Sequence, residues 1–500
     1  MLNRRNTLLS NSLNSSEPIN IDNYLTIEAL ENGLTVSLST NACEYCINGD
    51  GVWNTLVADT TTPSINQGQV ISFRGNLTPN SSNGIGTFTI SKKCNLKGNS
   101  MSMLFGDDAE NNYSLSGKSY AFYKLFYNCT NIIEVSPNFL PATTLASSCY
   151  RYTFYGCTSL TMVSELPATT VVDYCYQYMF RGCTSLTTAP NLPATTVAYY
   201  CYYSMFRGCT SLTTAPELPA SKLDQYCYSY MFYGCTSLTT APELPATTLV
   251  TSCYSNMFSG CSSITTVPEL PASTLAMYCY ENMFEDCTSL TTAPELPTTK
   301  LFNGCYRYMF DGCTSLTTAP ELPATTLVNN CYHSMFRGCT SLTIAPELPA
   351  TTLANYCYYY MFDGCTSLTT APELPSTTLA DSCYQYMFQG CTSLTTAPDL
   401  PASILTNYCY NSMFFGCTSL TTAPELPATT LANGCYSYMF YNCKKLKYIK
   451  AMFTTTPSNS YTMNWVNGVS STGTFVKNKN ATWSVTGSNG IPSGWTVQTA

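Results

Sequence analysis

Charge is scarce in this 500-residue chain: charged residues make up 10% of it, with 21 Lys and Arg against 29 Asp and Glu. The acidic balance and the shortage of Lys and Arg exclude nucleic acid as a partner, because neutralising phosphates needs clustered basic residues. Histidine is reduced to one residue, His333, and there is no phosphate-cradling glycine loop. Acid–base, nucleophilic and zinc chemistry therefore have little to stand on, and no enzyme is expected. No apolar run approaches the roughly 20 residues needed to cross a bilayer. The first ten residues offer two arginines and then only Thr7-Leu8-Leu9. A secretory signal needs an apolar stretch of ~7–15 residues, so the chain as it stands is not expected to be a Sec substrate. Heptads are missing too, so a homo-oligomer, which would suit a fibre, is not specified by a coiled coil.

What is present is repetition. From Cys157 to Cys443 the pattern returns every 26 residues, and one copy begins C-T-S-L-T-T-A-P-E-L-P at Cys365. A less regular first member starts at Cys129. A second cysteine column runs eight residues ahead of the first, from Cys149 to Cys435; with Cys43, Cys46 and Cys94 these account for all 28 cysteines. A unit of this size cannot bury its own apolar face, so copies must stack into a solenoid with a shared core. Leu368, Ala371, Leu374, Leu379, Cys383, Met387 and Phe388 are the apolar positions of one copy. Leu379, Cys383 and Met387 step by four, which predicts a short helical turn. Ser367 to Ala371 reads as a strand pairing in parallel with the next coil, ended by Pro372 and Pro375.

F-x-G-C-T-S-L, then L-P, then L-x-x-x-C-Y-x-x-M-F resembles the BspA-like leucine-rich repeats, also called the Treponema pallidum type, over residues 118 to 450. Those repeats are usually shorter, with Ile where this chain has Ala371 and Cys383, and Ala where it has Met387. The resemblance implies an adhesion or interaction scaffold. It implies neither a ligand nor a cofactor.

The expected fold is an α/β solenoid of 26-residue leucine-rich-type repeats with a parallel sheet on one side. A small all-β, sandwich-like domain precedes it and a C-terminal β cap closes it. The expected divisions are a polar arm over 1–20, an attachment domain over 21–98, a linker or N-terminal cap over 99–128, the solenoid over 129–443 and the C-terminal cap over 444–500. Short alternating runs between Tyr24 and Ile90 carry the sandwich reading, and Asn32-Gly33 predicts a hairpin between the first two. With Tyr45, Trp53 and Arg74-Gly75, this segment also resembles domains preceding such repeats in gut Bacteroides and phage proteins. The lysines after Cys443 and Trp465, Trp483 and Trp495 suit a cap over an open solenoid end.

Equivalent cysteines on adjacent coils should lie ~4.8 Å apart, within disulfide range, yet buried free thiols are the expected state. Cys43-x-x-Cys46 lacks partners for a four-ligand zinc site. The acids form a column: Glu165, Glu217, Glu243, Glu269, Glu295, Glu321, Glu347, Glu373, Asp399 and Glu425. They either spread into solvent or share Ca²⁺. The threonine rows, as at Thr369-Thr370, are expected to serve β-propensity and solubility.

Specificity is expected where copies differ, around Cys-Tyr and Met-Phe. The candidate ligand contacts are Arg181, Tyr203, Arg207, Tyr230, Arg307, Tyr308, His333, Arg337, Tyr359, Tyr360 and Tyr386, since exposed Tyr and Arg suit glycan stacking and protein hot spots. The expected function is a virion fibre or surface component of a phage, joined to other virion or surface proteins through its N-terminal domain and to host glycan or protein through the solenoid. The alternatives are a BspA-like adhesin on the bacterial cell surface and a purely architectural spacer.

Overall fold

The computed structural model describes residues 17–163 and 165–500. Residues 1–16, most of the expected arm and the whole of the Thr7-Leu8-Leu9 stretch, lie outside that description.

The N-terminal segment holds seven strands: β1 (Leu25–Ala29), β2 (Val36–Leu38), β3 (Cys43–Ile47), β4 (Asn54–Leu56), β5 (Val70–Arg74), β6 (Phe88–Ile90) and β7 (Cys94–Gly98). With β8 (Ile132–Val135) they form a six-stranded sheet in the order β4-β3-β5-β1-β7-β8, and β2 and β6 pair as a ribbon. Asn32-Gly33 does turn the chain, with Gly33 at φ +79°, but no β1–β2 hairpin forms. Both faces of β1 are buried: Leu25, Ile27 and Ala29 on one, and on the other Thr26, bonded to Ser72 Oγ at 2.8 Å. That environment suits a central strand, and β1 pairs with β5 and β7, leaving β2 to cover the core from the second layer. Because β8 belongs to the first coil and pairs in parallel with β7, the sheet runs directly into the solenoid.

Each coil of the solenoid is held by two alternating sets of backbone bonds. Between Val172 and Cys183, the amides of Cys175, Gln177, Met179, Arg181 and Cys183 donate to carbonyls three residues back, at 3.1–3.3 Å. The amides between them, on Tyr174, Tyr176, Tyr178, Phe180 and Gly182, donate to Tyr199, Cys201, Tyr203, Met205 and Arg207 of the next coil, at 2.8–3.0 Å. Every amide from Tyr174 to Cys183 is thus used, half locally and half across coils. The expected helical turn is absent, and no α-helix occurs among the described residues of 129–443. Tyr174, Tyr178 and Gly182 lie at φ +60°, +59° and +77°, so a left-handed residue recurs every four positions and breaks any helix into overlapping β-turns. The same four-residue step produced the helical expectation.

On the opposite side, the parallel sheet contracts to isolated bridges, such as Thr188↔Thr214 and Thr370↔Thr396. The following prolines, without N–H groups, stop each strand after one paired residue. Here the bonds run the other way, from Thr213 N back to Thr187 O at 3.4 Å.

Side chains stack at the same step. Phe154 and Phe180 lie 5.6 Å apart with rings 5° from parallel, and Tyr176 and Tyr202 lie 5.8 Å apart at 4°. Each such ring, fully withdrawn from water, contributes about 1.5–3 kcal/mol of transfer free energy. All 28 cysteines are buried and unbridged. Cys43 and Cys46 are three apart on β3, so they face opposite sides of the sheet and cannot ligate one ion together.

The inter-coil ladder continues past Cys443: Phe440 N donates to Trp465 O at 2.8 Å. Beyond it β9 (Tyr448–Ala451), β10 (Thr474–Lys477) and β11 (Thr496–Thr499) form a parallel sheet. The indoles of Trp465, Trp483 and Trp495 are buried and donate to Gly490 O, Phe453 O and Ser470 O at 3.0, 3.2 and 2.7 Å.

Candidate ligand-binding ridge

The β-turn side of the coils carries the residues that differ between copies. The Tyr after each column cysteine points inward and stacks, whereas the residue two after each cysteine varies along the axis as Gln177, Tyr203, Ser229, Ser255, Glu281, Arg307, His333 and Tyr359. Left-handed positions form a second variable column, Tyr178, Ser204, Tyr230, Asn256, Asn282, Tyr308, Ser334 and Tyr360.

The eleven candidate residues gather into two groups. In the first, Arg181 lies 5.5 Å from the Tyr178 ring, Tyr178 meets Tyr203 at 5.4 Å, Tyr203 meets Tyr230 at 5.6 Å, and Arg207 lies 5.3 Å from Tyr230. In the second, Arg307 and Arg337 lie 4.8 and 5.7 Å from the Tyr308 ring. Tyr308 meets His333 at 4.9 Å, His333 meets Tyr359 at 4.8 Å, Tyr359 meets Tyr360 at 4.5 Å, and Tyr360 stacks on Tyr386 at 4.3 Å. His333 is only 8% exposed and wedged between Tyr308 and Tyr359. It supports those rings from beneath, a correction to its expected place as a surface contact.

Between the groups the ridge dips. The coil T-S-C-Y-S-N-M-F-S-G at 251–260 carries Ser252 between Tyr226 and Tyr278 of its neighbours, and Ser255 between Ser229 and Glu281. The gap is a cavity of about 370 Å³. Tyr200, Tyr203, Tyr226 and Tyr230 line it from the preceding coils, and Tyr278, Glu281 and Arg307 from the following ones. Sequence reasoning missed Tyr200, Tyr226, Tyr278 and Glu281, although serine interrupting a tyrosine column was visible there.

Two of the ridge arginines form ion pairs. Arg337 Nη2 and Asp311 Oδ2 lie 2.7 Å apart, and Arg307 Nη1 meets Glu281 Oε1 at 3.4 Å. Burial pushes the Asp311 carboxyl up to about 6 against the pull of Arg337, and raises Asp363 to about 6. It raises Glu281 too, opposed by Arg307. Burial, helped by Arg307, drives His333 down to about 4.

A different face carries grooves of about 450, 440 and 470 Å³ along the Pro-Glu-Leu-Pro bends, for instance between Pro320, Pro323, Pro346 and Pro349. Their lining repeats from coil to coil, so they distinguish no position along the axis. The acids of the column are exposed, and among the described residues no three His, Cys, Asp or Glu side chains converge as a metal site needs. Among those residues, too, no helix is long and apolar enough to cross a membrane.

These features define a repeat scaffold with one constant and one variable face. A family model described as a BspA type leucine rich repeat region of six copies matches residues 118–229, 202–343 and 347–467, more than half of the chain. The chain belongs to the BspA-type leucine-rich repeat proteins, as the G-C-T-S-L and C-Y-x-x-M-F motifs implied. That membership supports an interaction or adhesion role, in a family that is typically non-enzymatic. No curated protein matches the chain. Among solved structures, the crystal structure of a TLR13–ssRNA13 complex is similar over 70% of this chain at 14% identity, with a TM-score of 0.25. This chain spans about half, 48%, of the length of that one. So low a TM-score carries no argument.

Proposed function

We propose that this is a non-enzymatic recognition protein displayed on a phage particle as a fibre or surface component, whose β-turn ridge binds host-surface glycan. The observation carrying this reading is the confinement of variable Tyr, Arg and Ser to one face, where they assemble into two aromatic–arginine groups around a cavity. Aromatic faces and guanidinium groups suit stacking on sugars. The thiols support the phage setting. Twenty-eight buried cysteines must stay reduced while the coils close, which favours cytoplasmic folding and release by lysis over export through an oxidising compartment. The N-terminal sheet would join other virion proteins. Its Arg74 bridges Glu44 and Asp107 and lies 4.1 Å from the Trp53 ring, a rigid surface cluster suited to attachment.

Adsorption of the purified chain to immobilised intestinal mucin and to whole Bacteroides cells tests the proposal. Tyr203→Ser, Tyr230→Asn and Tyr360→Ser combined use residues the same columns already tolerate, and this variant should lose adsorption. Replacing the exposed Thr369 and Thr370 by Ser should not. A ridge variant that adsorbs normally would favour the architectural spacer.

A further inference from the structure

We propose that the cavity at Ser252 and Ser255 is a subsite for one uncharged pyranose ring of a glycan. This rests on the ridge being the recognition surface, and adds where one sugar unit sits and which sugars are refused.

The size fits a small ligand: about 370 Å³ lies in the ~300–1,000 Å³ range of small-ligand clefts. The lining is split chemically in the way a pyranose is. A sugar ring offers an apolar C–H face and an edge of hydroxyls. Tyr203 and Tyr230, 5.6 Å apart and tilted at 56°, supply aromatic surface on one side. Polar groups wait on the other. Ser229 donates to Ser252 O, and Ser255 Oγ accepts from Asn256 Nδ2 at 2.9 Å, so the serine floor is held in place before any ligand arrives. Glu281 and Arg307 touch only loosely, Oε1 to Nη1 at 3.4 Å. A hydroxyl pair set against them would accept from the Arg307 Nη1–H and donate to the Glu281 carboxylate, replacing one long contact with two shorter bonds.

The same pair sets the selectivity. Glu281 and Arg307 cancel, so a carboxylate or an ammonium entering the cleft is attracted by one and repelled by the other and gains no net attraction to offset the water it sheds. Neutral hexoses and N-acetylhexosamines meet neither penalty.

The test titrates the full chain with methyl glycosides of glucose, galactose, mannose and N-acetylglucosamine by saturation-transfer NMR, with N-acetylneuraminic acid and glucosamine as charged controls. At least one neutral glycoside should bind with a Kd on the order of 1 mM, as expected for so small a ligand. Ser255→Tyr, which restores the aromatic residue found in the same column at Tyr203, should abolish binding with the melting temperature preserved. Glu281→Gln, which keeps the shape, should weaken it by about tenfold. Absence of neutral-sugar binding, undiminished binding in folded Ser255→Tyr, or tighter binding of a charged control would overturn the proposal. Loss of mucin and cell adsorption in the combined ridge variant, with no glycoside bound by the parent chain, would remove this subsite and leave the ridge reading standing. Normal adsorption by that variant would remove the ridge reading itself.

Discussion

The thiol of Cys183 donates to the backbone carbonyl of Phe154 at 3.1 Å, and the same 29-residue relation recurs down the column to Cys443 with Phe414, while Cys157 reaches Phe126 over 31 residues because the first step is longer. The carbonyl also accepts from the amide of Cys157, so each sulfur uses the second lone pair of a group already in the turn. A disulfide would remove that donor.

Burial raises these thiols: Cys235 to about 12, and Cys183 well beyond its ordinary range. Native protein at pH 8 should therefore react negligibly with a thiol reagent, and all 28 cysteines should react once it is unfolded in denaturant. Folded thiols keep protons that unfolded thiols release above about pH 9, so stability should be intact below that pH and fall steeply as alkali is added. Circular dichroism against pH would show it, and a stability rising between pH 9 and 11 would contradict it. Cys235→Ala, losing the sulfur and its bond to Phe206 O, should cost about 1–2 kcal/mol.

Ser204 is fully buried at φ +54°, with a hydroxyl that has no partner. Ser204→Gly should stabilise the chain by about 1 kcal/mol, because relief of left-handed strain and of the orphan hydroxyl exceeds glycine's entropic cost. Ser204→Ala keeps the strain and should gain less. Equal melting points for the two variants would assign the effect to the hydroxyl alone.

Asp311 and His333 shift in opposite directions. Asp311, held near 6, keeps its proton in the folded state where the unfolded chain has lost it, so its share of stability falls as pH rises from about 4 to 6. His333, held near 4, stays neutral where the unfolded chain is protonated, so its share rises between about 4 and 6.5. Melting curves should show Asp311→Asn steepening the rise with pH in this window and His333→Gln flattening it.

The exposed acids from Glu165 to Glu425 sit one per coil, except where Asn191 interrupts the column, and repel. Melting temperature should not move with chelator or with millimolar Ca²⁺, and should rise slightly with NaCl as the repulsion is screened. A calcium-specific increase absent with Mg²⁺ would indicate shared cation sites.

The stacking order was legible in the sequence because Leu368, Cys383, Met387 and Phe388 return at a fixed interval and must form files. The local conformation was not, because a four-residue step from Leu379 to Met387 is equally the mark of a helix and of turns with a left-handed residue at every fourth position. Tyr356, Tyr360 and Gly364 occupy those positions at φ +58°, +55° and +75°. Tyrosine, unlike glycine or asparagine, gives no advance sign of that geometry. The candidate ridge was readable as columns of variation. Its cavity was harder to see, since it arises from what Ser252 and Ser255 lack and from neighbours one and two coils away.

Opposed bond directions on the two sides of each coil give the stack a polarity at its ends. On the β-turn side amides reach forward, as from Tyr176 to Cys201, and in the threonine row after each G-C-T-S-L block they reach back, as from Thr213 to Thr187. A bare last coil would therefore end in free N–H groups beneath the ridge and a free carbonyl on the other side, and a bare first coil in the reverse; here Tyr436, Tyr438 and Phe440 give their amides to Tyr461, Met463 and Trp465 instead. Two bare ends of separate molecules are mutually complementary templates. The tryptophan-rich stretch beyond Cys443 thus acts as a chain terminator, keeping one molecule's coils from being continued by the next.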